Sequence, residues 1–148
     1  QNGPIILALI RRIDVQLSAL DAVANLKAKE ESLRWQANYE TVHAQLLLYK
    51  VRLTDLLMAA EEIQNRADRP KPESTHWFLG INKEVQPFNA PLAMKLKIEQ
   101  AALDSQRSSA VAELQAILER HPRTPWAELA QFELAAGTSV KFIEYQRK

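Results

Sequence analysis

Between Ile5 and Arg69 the chain contains neither glycine nor proline, the two residues that most reliably interrupt a helix. A stretch of this length without a breaker constrains the fold to long helices. In its second half Tyr39, Val42, Leu46, Tyr49, Leu53, Leu56, Ala60, Ile63 and Ala67 recur at alternating steps of three and four, which places them on one helical face. In the first half Ile6, Ile10, Ile13, Leu17, Leu20 and Ala24 keep the same spacing, behind Gly3 and Pro4 at the helix start. The pattern fails in the polar segment Lys27 to Arg34 and resumes in a shifted phase at Trp35, so a break between Ala28 and Ser32 is expected, with Ser32 capping the next helix.

Arg69-Pro70-Lys71-Pro72 should end that second helix, because each proline also pushes its predecessor out of helical geometry. From there to Pro91 the spread of prolines predicts irregular backbone. Trp77, Phe78, Leu79, Ile81, Val85 and Phe88 within it predict an ordered loop laid across the bundle. A third helix starts at Asn89 or Ala90 with Pro91 in its first turn, buries Leu96, Leu103, Ala110, Leu114 and Ile117, and ends at His121-Pro122. Beside that stripe a row of small residues, Ala102, Ser105, Ser109, Ala112 and Ala116, suggests close contact with a neighbouring helix. Thr124 and Pro125 open a short fourth helix that stops at Gly137. The tail Val140 to Tyr145 is apolar enough to dock and too short to classify. The expected architecture is therefore all-α: an antiparallel bundle, one domain over 1–148, with helices near 5–27, 33–67, 91–120 and 125–136 and an ordered proline-rich crossover loop at 70–90.

Charge narrows the function classes. Nineteen Lys and Arg against eighteen Asp and Glu leave a net charge of +1, without the cationic excess of a dedicated nucleic-acid binder. There are no cysteines, so no disulfide framework and no thiolate metal site. The apolar run Ile5 to Ile10 is cut by Arg11 and Arg12, far short of the ~20 residues of a membrane span. The chain begins with Gln1 rather than Met, which suggests a processed product or a fragment of a longer protein.

Ala110-x-x-x-Leu114-x-x-Ile117-Leu118-x-x-x-Pro122, followed by Thr124-Pro125-Trp126-Ala127-x-x-Ala130-x-x-x-Leu134 and Gly137, resembles a tetratricopeptide hairpin. One hairpin does not imply a solenoid, which needs at least three repeats. A wider likeness is carried by Glu30-Glu31-Ser32-Leu33-Arg34-Trp35-x-Ala37-Asn38-Tyr39, Ala44-Gln45-x-x-x-Tyr49-Lys50-Val51-Arg52 and His121-Pro122-x-Thr124-Pro125-Trp126-Ala127. These motifs look like the C-terminal helical region of uncharacterised bacterial proteins that carry a von Willebrand factor A domain. The resemblance implies an accessory helical region whose ligand-binding domain lies upstream. The Asp-x-Ser-x-Ser adhesion motif of that domain is absent, and Asp104-Ser105-Gln106-Arg107-Ser108 has the wrong spacing on a helix.

Candidate chemistry is sparse. Glu40 and His43, three apart on a helix, are the nearest approach to a metal pair, but a di-iron bundle needs two such pairs and two further carboxylates. A partly buried structural His paired with Glu is the alternative. His76, Trp77 and Phe78 in the long loop would form either a protein-binding surface or a plug for one end of the bundle. Trp126 and Phe132 read as core, and Lys50, Arg52, Lys95, Lys97 and Arg107 as a solvated face. No phosphate loop, nucleophile elbow or zinc motif occurs. The expectation is a non-enzymatic helical interaction or scaffold module without catalytic residues, cofactor or metal, whose partner is another protein or a second copy. A self-associating structural bundle and a ferritin-like metal-binding bundle are the alternatives.

Overall fold

A computed structural model describes residues 3–65 and 76–145, the side chains of 64, 65, 76, 77, 144 and 145 excepted. The fold is predominantly α-helical, with one small sheet. In chain order it comprises α1 (Gly3–Ala22), α2 (Ala24–Lys27), α3 (Leu33–Asn65), β1 (His76–Asn82), α4 (Ala90–Leu96), α5 (Gln100–Arg120), α6 (Pro125–Ala136) and β2 (Ser139–Tyr145). The expected break between Ala28 and Ser32 is present, and the hydroxyl of Ser32 lies 3.5 Å from the Trp35 amide at the start of α3. The proline stop at 69–72 lies outside the described residues.

The long helix α3 is the axis of the molecule, packed against α1 on one side and α5 on another, with β2 laid along it. Its most buried residues are Ala37, Thr41, Ala44, Leu48, Val51 and Leu57, not the stripe that periodicity selects: Val42 and Tyr49 of that stripe are exposed. The reason is that α3 has neighbours on several sides. A small or polar residue facing α5 is buried as fully as a large one facing α1, and no single apolar stripe describes such a helix. The central cluster joins Ala44 and Leu48 to Ala110, Leu114 and Ile117 of α5 and Ala130 of α6, with Trp126 and Leu134 packed on it.

Three further expectations are corrected. The helix expected over 91–120 is two helices, because Lys97 adopts a left-handed conformation (φ 57°) and the Ile98 amide donates back to the Ala93 carbonyl at 2.9 Å, closing α4. The small-residue row faces solvent: Ala102, Ser105, Ser109 and Ala112 are exposed, since α5 spends its contact face on Leu103, Ala110, Leu114 and Ile117. Phe132 is 68% exposed, because Ala127, Ala130 and Glu133 form the inward side of α6.

The largest difference is the sheet. Part of the expected irregular loop and the unclassified tail pair as antiparallel strands, with Phe78 opposite Ile143, Leu79 opposite Phe142 and Ile81 opposite Val140. Both segments carry the aromatic and β-branched residues that suit a half-buried ribbon, but each finds its partner on the far side of three helices. Gly137 makes the junction between α6 and β2 at φ 102°, and a Cβ there would come within 2.4 Å of the Asn82 backbone. Strain and clash therefore act together at this position. Gly137→Ala is expected to cost more than about 2 kcal/mol in chemical denaturation, against a few tenths for the exposed Ala102→Gly control corrected for helix propensity.

Candidate functional site

The chemistry of this molecule is concentrated in buried ion pairs on α3. Arg52 points at the C-terminal end of α6: its Nη1 donates to Glu133 Oε2 at 2.6 Å, and its Nε and Nη2 donate to the Gly137 carbonyl at 3.1 and 2.7 Å. A cation is favoured there by the helix dipole and by the unpaired last carbonyls. Tyr49 donates to the other Glu133 oxygen at 2.9 Å, and Gln45 reaches it at 3.3 Å. Burial pushes the Glu133 carboxyl up, but the bonds from Arg52 and Tyr49 outweigh it and hold the group below its ordinary 4.5.

One turn along, Asp55 receives both terminal nitrogens of Arg107 at 3.2 and 3.1 Å and the Ser139 hydroxyl at 2.7 Å, while Arg107 also donates to the Thr138 carbonyl. The Arg107 Nε is buried without a partner among the described residues. Arg52 and Arg107 are thus not part of a solvated face, as their helical positions suggested. Their charge is tolerated because each meets a carboxylate and a backbone carbonyl across the interface.

The Glu40 and His43 pair is divided between two networks. Glu40 accepts from Lys27 at 2.6 Å, from His121 at 3.0 Å and from Arg120. His43 Nδ1 lies 2.7 Å from Glu113 and Nε2 lies 3.2 Å from Asp21, and its ring stacks on Tyr39. Tyr39 in turn donates to the Leu20 carbonyl, and Lys50 pairs with Asp14. Among the described residues no three His, Asp or Glu side chains are grouped to hold a metal ion. The arrangement is a clasp: His43 joins α1 and α5 to α3.

Two concave surfaces flank this scaffold. The first is an open groove of about 560 Å³ between α1, α3 and β1, lined by Leu9, Arg12, Ile13, Tyr49, Leu53 and Ile81. The second is a cavity of about 150 Å³ between α3, α5, β2 and the segment after β1, lined by Met58, Ile63, Phe88, Leu103 and Phe142, with Asp55 and Arg107 in its wall. Of the predicted surface residues, His76 and Trp77 lie on β1 with side chains outside the described set. Phe78 is 56% exposed and covers Gly80 together with Ile143, so its ring does not plug the bundle. Sequence reasoning missed the groove and the cavity because each takes residues from three or more elements. The alternation of Leu79 and Ile81 around Gly80 was the local signal for a strand.

In comparisons with known proteins, no family model, curated protein or solved structure matches the chain. No described helix is long and apolar enough to cross a membrane.

Two outcomes follow from the ion pairs. Arg52→Ala strands Glu133 in the interior and should cost about 3–5 kcal/mol in urea denaturation. The double variant Arg52→Met, Glu133→Leu should recover only part of that, because the Gly137 carbonyl still lacks its donors. For His43, the hydrogen bond that Glu113 accepts raises the imidazole above its ordinary 6.5 against the opposing effect of burial, and Asp21 adds to the rise. A raised folded value means stability that is fully present below 6.5 and is lost as pH climbs through the folded value. The midpoint of thermal unfolding should fall across that window in the native chain, and the His43→Gln variant should show a flatter profile there.

Proposed function

We propose that this chain is a non-enzymatic helical protein-interaction module, an accessory region of a larger protein, whose groove between α1 and β1 receives an acidic amphipathic segment of a partner protein. The observation that carries the reading is the composition of the groove: Leu9, Ile13, Leu53 and Ile81 form an apolar floor and walls, and Arg12 at the edge has no ion-pair partner among the described residues. An exposed apolar trough binds by burying a partner's apolar stripe, and a single unpaired cation beside it selects a neighbouring acid. Ile5, one turn before Leu9 on α1, and Leu79, two residues before Ile81 on β1, are also exposed and lie on the same faces of their elements. The ionisable side chains buried nearby, Arg52, Glu133, Asp55 and Arg107, are committed to each other, which favours a binding role over turnover. His76, Trp77 and Phe78 form the first part of β1, ahead of the Leu79 and Ile81 positions beside the groove.

The test uses two labelled amphipathic helices, one of Leu and Glu and one of Leu and Lys. The Glu peptide should bind the native chain with the higher anisotropy change, Leu9→Glu and Ile81→Lys should each lower affinity about tenfold or more, and Arg12→Glu should invert the peptide preference. Equal binding of both peptides, or unchanged binding by Leu9→Glu, overturns the proposal. So does a native dimer by light scattering that Leu9→Glu converts to monomer, since the groove would then belong to a second copy.

A further inference from the structure

Arg107 lines the cavity of about 150 Å³ and is 9% exposed, and its hydrogen bonds leave part of the guanidinium unused. The group carries five N–H donors in a planar fork. Nη1 donates to Asp55 Oδ2 at 3.2 Å and to the Thr138 carbonyl at 3.1 Å, and Nη2 donates to Asp55 Oδ1 at 3.1 Å. Two N–H remain: one on Nη2, and the one on Nε, which is buried with no partner among the described residues. Because Asp55 takes the end of the fork, the two unused donors lie side by side along one edge. A buried donor without an acceptor is rare in a folded protein, and an oxygen from outside the chain is its complement.

The rest of the lining limits what that oxygen can be attached to. Met58, Ile63, Val85, Phe88 and Leu103 are among the lining residues, and the volume is that of a cavity able to hold a benzene-sized body. Charge sets the other limit. Asp55 neutralises Arg107, Lys141 pairs with Glu84 at 2.9 Å, and Asp104 adds an exposed carboxylate to the lining. An entering anion therefore finds no cation without a carboxylate already beside it, and an entering ammonium has no acceptor to offer Arg107.

We propose that this cavity binds a small uncharged carbonyl compound, an amide or ketone on an apolar body, whose oxygen accepts from Nε and Nη2 of Arg107. A carbonyl oxygen has two lone pairs, so one atom serves both donors. Asp55 keeps both of its bonds to Arg107, and no ion pair has to break for the ligand to enter. The site shares no residue with the groove between α1 and β1, so the two readings fail independently.

Four probes built on one ring test it: benzamide, benzoate, benzylammonium and toluene. Titrated into the whole native chain, benzamide should bind about tenfold more tightly than toluene, the value of a hydrogen bond gained, and more tightly than either ion. At saturation benzamide should move the Arg107 Nε–H resonance downfield, and toluene should leave it in place. Arg107→Lys keeps a cation for Asp55 without the paired donors and should bring benzamide down to the affinity of toluene; if that variant does not fold, the Nε–H resonance of the native chain decides. Ala59→Phe, at a lining position, should abolish benzamide binding. The proposal is overturned if toluene, benzoate or benzylammonium binds as tightly as benzamide, if benzamide binds without moving the Arg107 resonance, if either folded variant binds benzamide like the native chain, or if no probe binds and the Nε–H contacts water only.

Discussion

Two arginines buried against backbone carbonyls hold the C-terminal quarter of the molecule in place. Arg52 reaches from α3 to the last turn of α6, and Arg107 reaches from α5 to Asp55 and Thr138, so the short connection from Glu133 to Ser139 is gripped at both ends. Pairs of this kind add little net stability over well-packed apolar residues, since both charges must first leave water. What they impose is geometry. A guanidinium that must satisfy a carboxylate and a carbonyl at once admits one position for the helix end and one starting point for β2.

That starting point decides the rest of the surface. With Ser139 anchored to Asp55, β2 runs along α3 and β1 follows by register. The ribbon then supplies Ile81 to the groove beside α1 and Phe142 to the cavity beside α5, so one sheet shapes two concave regions of different character. On the opposite side, His43 ties α1 to the body through Asp21 and Glu113, with Tyr39 and Lys50 as further ties. The groove exists because α1 is held at one side and the ribbon at the other.

The sequence was most legible where a signal is local. Thr124 with Pro125, Asn89 with Pro91, and the polar break before Ser32 each mark a helix end by their own chemistry, and all three are where the caps and the break occur. It was least legible where burial is decided across the chain. Arg52 and Arg107 read as part of a solvated face because their carboxylate partners, Glu133 and Asp55, lie on other helices and no local pattern points to them. Val42 and Phe132 read as core because periodicity cannot say which of several faces acquires a neighbour. The strands were hidden for the same reason, as was the cavity between them and the helices. The Glu40 and His43 spacing was visible, but their partners, His121 and Glu113, come from beyond α4.

The ribbon joins segments on either side of α4, α5 and α6, whereas the contacts of α1 with α3 and of α5 with α6 link neighbours along the chain. Closing the longer loop costs more chain entropy, and long-range strand pairing is slow for that reason. The helical hairpins therefore assemble early, and the two concave surfaces acquire their shared wall only when β2 finally zips onto β1. Folding intermediates of this protein would be helix-rich and would lack both concave surfaces.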